Sequence, residues 1–130
     1  VKKPVWLDRV DCLAIHEMML AHHGGLTGVR DEGLLESALA KPRHLFSYGK
    51  PHLTDLAASY AAGIIHNHPF LDGNKRTGFV VAATFLELNG MEFTASEESA
   101  VKNTLDLASG AIQEADYGAW LRANSRKARP

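Results

Sequence analysis

Apolar residues recur at helical spacing along most of the chain, and six segments read as helices. The clearest run starts at Leu53, where Leu53, Leu56, Ala57, Tyr60, Ala61, Ile64 and Ile65 follow i, i+3, i+4, i+7, i+8. Pro69 marks its end, because the residue before a proline avoids the helical region. Beyond a short polar stretch, residues 74–89 are apolar on almost every side through Phe79, Val80, Val81, Ala82, Ala83, Phe85, Leu86 and Leu88. A helix of that kind forms the buried centre of a bundle, so this segment is the predicted central helix.

Four weaker patterns complete the set. Residues 8–22 take Asp8 as N-cap, Val10, Leu13, Ala14, Met18 and Ala21 as their inward stripe, and Gly24-Gly25 as their stop. Residues 31–41 start at Asp31, bury Leu34, Leu35, Ala38 and Leu39, and stop at Pro42. Thr94 with Glu97 suggests a capping box for residues 96–109, with Val101, Leu105 and Ala108 inward. The last helix covers residues 114–124 and carries Trp120 and Leu121. Between these, residues 42–52 hold two prolines and a glycine and read as a loop. Met91-Glu92-Phe93 is a short extended piece, and the cationic tail from Arg126 is expected to fray. No repeat, low-complexity segment or linker interrupts the pattern. The predicted architecture is therefore all-α: one compact domain over residues 1–130, a bundle of about six helices with a buried central helix after the polar stretch.

Composition narrows the class. Fourteen Lys+Arg against fifteen Asp+Glu give a formal net charge of −1, which lacks the broad positive field of a direct nucleic-acid binder. One cysteine, Cys12, excludes an intramolecular disulfide; set among apolar neighbours, it is expected to be buried. No apolar run reaches the ~18 residues of a membrane span. A cytoplasmic location is the expectation, with no membrane partner.

The densest cluster of reactive side chains is the polar stretch itself, from His66 to Gly78. It joins the two best helices, and loops on a rigid scaffold carry function. The open N–H groups near Asn74 sit at a helix N-terminus, the positive end of its dipole. Gly73 allows close approach to the backbone. Lys75 and Arg76 add two cations where cations oppose the dipole, so an anion is the expected partner, and together these features make a phosphate cradle. Asp72 is a hard oxygen ligand suited to Mg²⁺ alongside substrate phosphates. An imidazole at His68 can take a hydroxyl proton near neutral pH. Plainer readings stay open: His68 as a helix C-cap, Asp72 as a turn residue, Asn74 as an N-cap, Lys75 and Arg76 as solvated charges. His66, His68 and Asp72 could also form part of a transition-metal site.

The nine residues His68-Pro69-Phe70-Leu71-Asp72-Gly73-Asn74-Lys75-Arg76 resemble the Fic motif, HPFx(D/E)GN(G/K)R, and Lys75 resembles the death-on-curing (Doc) branch. Upstream, Gly25-Leu26-Thr27-Gly28-Val29-Arg30-Asp31-Glu32-Gly33-Leu34-Leu35-Glu36-Ser37-Ala38-Leu39 is similar to the Doc-type first half, and the similarity returns over residues 110–121. The resemblance implies a Fic-like helical fold in which His68 is the catalytic base and Phe70 anchors the loop. It implies Asp72 as the Mg²⁺ ligand, Asn74 and Arg76 on phosphates, and Gly73 clearing their path.

Most Fic enzymes transfer AMP and carry a second glycine where Lys75 stands. A lysine there crowds that nucleotide pose, and Phe79 replaces an arginine common among AMP-transferring relatives. The resemblance thus implies the Doc outcome: Mg-ATP-dependent phosphate transfer to a hydroxyl of a translation elongation factor, halting protein synthesis. AMP transfer, an inactive nucleotide-binding module and a ribonuclease toxin are the alternatives. The self-inhibitory (S/T)xxxE(G/N) helix of many relatives has no match in this sequence, since Glu98 is followed by Ser99. Control by a separate antitoxin is implied. The family's target-docking flap falls at residues 42–52, which nominates His44, Phe46 and Tyr48 for target contact.

Overall fold

The computed structural model describes residues 3–129. Residues 1, 2 and 130 of the expected domain lie outside the described residues. The order is α1 (Arg9–His23), α2 (Glu32–Ser47), α3 (Leu53–Asn67), α4 (Asn74–Leu88), β1 (Met91–Phe93), α5 (Glu97–Ser109), α6 (Glu114–Ala123) and β2 (Ser125–Lys127). Among the described residues, six helices and one two-stranded antiparallel ribbon realise the all-α expectation. No helix among the described residues is long and apolar enough to cross a membrane.

The centre of the bundle is α3, not the helix after the polar stretch. Every residue of α3 from Leu56 to Ile65 is buried, whereas α4 leaves Leu88 half-exposed and Val80 only partly covered. Small residues explain the exchange. Gly63 lies against Ala38 of α2, where an added Cβ would stand 3.1 Å from the Ala38 Cα. Gly78 of α4 lies over α3, where a Cβ would come within 2.8 Å of Ile65 Cγ1, and Gly118 of α6 faces Ala58 of α3. Alanine and glycine let three helices approach α3 closely. The larger side chains of α4 reach sideways instead, with Phe79 edge-on to Phe93 of β1 and Phe85 stacked with Trp6. The Tyr60 hydroxyl donates to the Leu7 carbonyl (3.1 Å) and accepts from the Leu7 N–H (3.0 Å), fastening the segment before α1 to the core. Burial pushes that hydroxyl's pKa up.

Two helices present a different face from the one their apolar pattern suggests. In α1 the buried set is Cys12, Ile15 and His16, while Val10 is 72% exposed and Met18 also faces out. This helix carries two apolar stripes, and a buried histidine counts against the true one. In α5 the buried residues are Ala100, Thr104 and Leu107, and Val101 and Leu105 are outside. The Thr104 and Tyr117 hydroxyls meet at 2.9 Å inside the core, so a satisfied polar pair sets the register of α5.

Three boundaries also move. Ser96, not Thr94, caps α5 by accepting from the Ser99 N–H at 3.1 Å, and the Thr94 hydroxyl donates to the Asn124 carbonyl. Pro42 does not stop α2, which runs on to Ser47. An interior proline costs about 3 kcal/mol, and here buried Leu39 and Pro42 together with Phe46 packed edge-on to Trp6 offset it. The tail is ordered as far as β2, which pairs Met91 with Lys127, Glu92 with Arg126 and Phe93 with Ser125. The Arg126 guanidinium takes both Glu92 carboxylate oxygens at 3.1 Å, a cross-strand pair of opposite charges.

Candidate active site

The polar stretch joins α3 to α4, and the loop following α1 holds it in shape. That loop is rich in glycine and runs beside the stretch as a short antiparallel partner, with Val29 bridged to Phe70. The Arg30 and Asp31 N–H groups both donate to the Pro69 carbonyl (2.6 and 3.1 Å), and the Leu71 N–H donates to the Gly28 carbonyl (3.1 Å). Gly25 has φ +123° and lies so close to Asp72 that a Cβ would meet its Oδ2 at 2.7 Å. Only glycine meets both requirements at that position.

His68 is the C-cap of α3 and adopts left-handed backbone, φ 53° and ψ 53°. It is the one non-glycine residue with positive φ among the described residues. Such conformations are costly for most side chains and cluster where the surroundings enforce them. Here the enforcing group is Arg30, whose Nε donates to the His68 carbonyl at 2.7 Å and whose terminal nitrogen donates to the Asn67 carbonyl at 3.0 Å. The guanidinium satisfies two carbonyls at the negative end of α3 and fixes the turn. The His68 imidazole stands exposed beside that turn.

Phe70 is fully buried. The Asn74 carboxamide is 3% exposed and closes on Phe70 from both sides, with Oδ1 accepting from the Phe70 N–H and Nδ2 donating to the Phe70 carbonyl, each at 3.0 Å. The side chain of Asn74 therefore braces the loop, and its oxygen and nitrogen are both spent on Phe70. Gly73, at φ 77°, is the N-cap of α4. The first intrahelical bond runs from the Thr77 N–H to the Gly73 carbonyl at 3.0 Å, so the N–H groups of Asn74, Lys75 and Arg76 precede the ladder. No acidic side chain occupies that first turn, and Lys75 and Arg76 are exposed without an ion-pair partner among the described residues. The combination favours an anion.

Asp72 is exposed, with Oδ1 accepting from the Gly73 N–H (2.9 Å) and Oδ2 from the Leu26 N–H (3.2 Å). A carboxylate offers about four lone-pair sites, so two remain for a cation. Among the described residues no group of three His, Cys, Asp or Glu could enclose a metal. A transition-metal site from His66, His68 and Asp72 is thus not assembled, and the His66 Nε2 instead donates to the Leu107 carbonyl at 3.1 Å, tying α3 to α5. One fixed carboxylate beside an anion cradle does fit Mg²⁺, which takes one or two carboxylates and completes its shell with phosphates and water.

Phe46 is engaged by Trp6, and residues 42–47 are helical rather than a loop, so only residues 48–52 lie outside helix in that stretch. His44 is exposed and Tyr48 is 89% exposed, both at the surface. Cys12 is buried as expected, and burial pushes its thiol up to about 12. Two residues that shape the site escape a reading of the motif alone, Arg30 and His16. The signal for His16 was its register with Cys12, Ile15 and Met19 on one face of α1. Arg30 lies in the upstream stretch of Doc-like residues, yet nothing in the pattern gives it a task.

The Fic/DOC family model matches residues 6–86, from the segment before α1 through most of α4. The chain is 41% identical over 93 residues to Toxin Doc of Mycolicibacterium smegmatis, an alignment covering 69% of this chain and 68% of that protein. It is 30% identical over 113 residues to Protein kinase doc of Escherichia phage P1, covering 86% of this chain and 89% of that one. With the motif loop, its bracing and these likenesses in agreement, the chain belongs to the Fic/Doc family, in its death-on-curing branch.

Proposed function

We propose that this chain is the toxin of a toxin–antitoxin pair, a transferase that moves a phosphate from Mg-ATP to a hydroxyl of a translation elongation factor. The observation that carries the proposal is the juxtaposition of an exposed imidazole on an enforced left-handed turn with an open helix N-terminus a few residues further on. The relatives named Toxin Doc and Protein kinase doc support the same reading.

In this reading the α4 N–H groups, with Lys75 and Arg76, hold the phosphates of ATP and align the γ-phosphorus with the target hydroxyl. His68 accepts the hydroxyl proton as the oxygen–phosphorus bond forms. The bond from the γ-phosphorus to the bridging oxygen breaks, ADP leaves, and His68 returns its proton to solvent. Asp72 would hold Mg²⁺, which when bound neutralises charge on the phosphates. Lys75 favours phosphate over AMP as the transferred group, because its side chain stands where the AMP-transferring pose needs glycine. Silencing falls to a separate antitoxin protein, a reading supported by the likeness to Toxin Doc.

Intact-mass measurement of elongation factor after incubation with the chain and Mg-ATP tests the proposal. A phosphate-sized gain is expected. An adenylate-sized gain would transfer the case to AMP, and no gain with any nucleotide would reject both. Lys75→Gly should alter which group is transferred; an unchanged product would refute the crowding argument.

A further inference from the structure

The bend from Phe70 to Gly73 is held by a side chain that the proposed chemistry leaves idle. His16 of α1 is 3% exposed, and its ring lies flat on Phe70, with centroids 3.8 Å apart and planes 8° apart. Its Nε2 stands 2.8 Å from the backbone carbonyl oxygen of Asp72. A carbonyl oxygen only accepts, so Nε2 carries the hydrogen and the tautomer is set by this partner. Packing alone does not require an imidazole here. A phenylalanine or leucine would fill the same stripe of α1 without burying a polar ring.

The bonded carbonyl belongs to a peptide unit with a second task. The same planar unit contains the Gly73 N–H, which donates to Asp72 Oδ1 at 2.9 Å. One edge of the unit, its carbonyl, is held by His16, and the opposite edge, its N–H, aims the Asp72 carboxylate. Gly73, at φ 77°, leaves the next backbone torsion permissive, so nothing covalent prevents this unit from turning over. A turned unit would lose both hydrogen bonds and would redirect the carboxylate.

We infer that His16 is a positioning residue: through the Asp72–Gly73 peptide it fixes the direction in which the Asp72 carboxylate meets the metal of Mg-ATP. The inference rests on the reading of Asp72 as the metal ligand. Groups bonded behind a ligand typically change metal affinity by 10–100-fold when removed.

The test uses the full chain, as wild type, His16→Phe and His16→Gln. Phenylalanine keeps the stack and removes the donor, while glutamine returns an N–H near the same place. Two readouts apply, amide exchange at Gly73 by NMR and Mn²⁺ affinity by electron paramagnetic resonance with a non-hydrolysable ATP analogue. We expect His16→Phe to melt cooperatively, to exchange the Gly73 amide faster, and to bind Mn²⁺ about tenfold more weakly. His16→Gln should return both to within about threefold of wild type. A phenylalanine variant equal to wild type in both readouts overturns the inference, as does a glutamine variant no closer to wild type than phenylalanine. If His16→Phe does not melt cooperatively, His16→Leu takes its place with the same expectations. Should wild type bind no Mn²⁺ with the analogue, the ligand role of Asp72 fails and the metal-facing half of the inference falls with it. The Gly73 exchange rates would still decide the positioning half: faster exchange in His16→Phe with recovery in His16→Gln supports it, and equal rates refute it.

Discussion

Asn74→Ala separates two roles that a motif assigns without distinction. The Asn74 carboxamide satisfies the N–H and the carbonyl of Phe70, both at 3.0 Å, in a buried setting. Truncation leaves both backbone groups without a partner, and each such loss costs about 1–3 kcal/mol. Taking a value in the lower half of that range for each group gives about 3 kcal/mol in total. For a domain of this size that lowers Tm by about 10 °C. Asn74→Asp should be no better, because its second oxygen would face the Phe70 carbonyl. Circular dichroism melts of the free protein, followed by titration with ATP below the lowered Tm, read the two roles separately. If Asn74→Ala melts within about 2 °C of wild type yet loses ATP affinity, the side chain acts on phosphate and the bracing argument is wrong.

Three further outcomes follow from the packing. Gly78→Ala drives a Cβ to 2.8 Å from Ile65 Cγ1 at the α3–α4 contact, and should cost about 1–3 kcal/mol in a denaturant titration. The cost of Gly78→Ala should shrink in an Ile65→Ala background, where the struck Cγ1 is gone. Arg30→Ala releases two α3 carbonyls from an exposed guanidinium, so stability should fall by about 1 kcal/mol, while transfer activity falls more steeply as the His68 turn loosens; equal activity would refute the clamp. The Cys12 thiol, raised to about 12 by burial, is almost wholly protonated at pH 8, so iodoacetamide should label it slowly in the folded protein and readily in guanidinium. Native labelling at the unfolded rate would contradict its burial.

Much of the site was legible because its residues are contiguous. The nine residues from His68 to Arg76 need no tertiary information to be set side by side, and a helix boundary on either side is enough to place them. The α3 stripe was equally clear, since each of its apolar positions is buried or partly buried. What failed was phase and termination. In α1 and α5, exposed Val10, Met18, Val101 and Leu105 outweigh the true inward set, which includes His16 and Thr104. Both polar residues are buried because each found a partner, the Asp72 carbonyl and the Tyr117 hydroxyl, and hydropathy cannot see a partner distant in the chain. Pro42 and the tail mislead for a related reason. Local propensity favours a break at each, and tertiary contacts from Trp6 and Glu92 outweigh it. Arg30 clamps a turn 38 residues away, a distance no periodicity reports.

In the proposed reaction His68 takes the proton of a protein hydroxyl as that hydroxyl attacks the γ-phosphate of ATP. Parallel incubations of elongation factor with the chain, using ATP labelled at the γ- or at the α-phosphorus, test it most directly. His68→Asn serves as the control, because asparagine tolerates the left-handed turn and so preserves the fold while removing the base. Label is expected on the elongation factor from γ-labelled ATP alone, and it should be lost in His68→Asn without a change in Tm. Label arriving from the α-phosphorus, or γ-label persisting in His68→Asn, would contradict it.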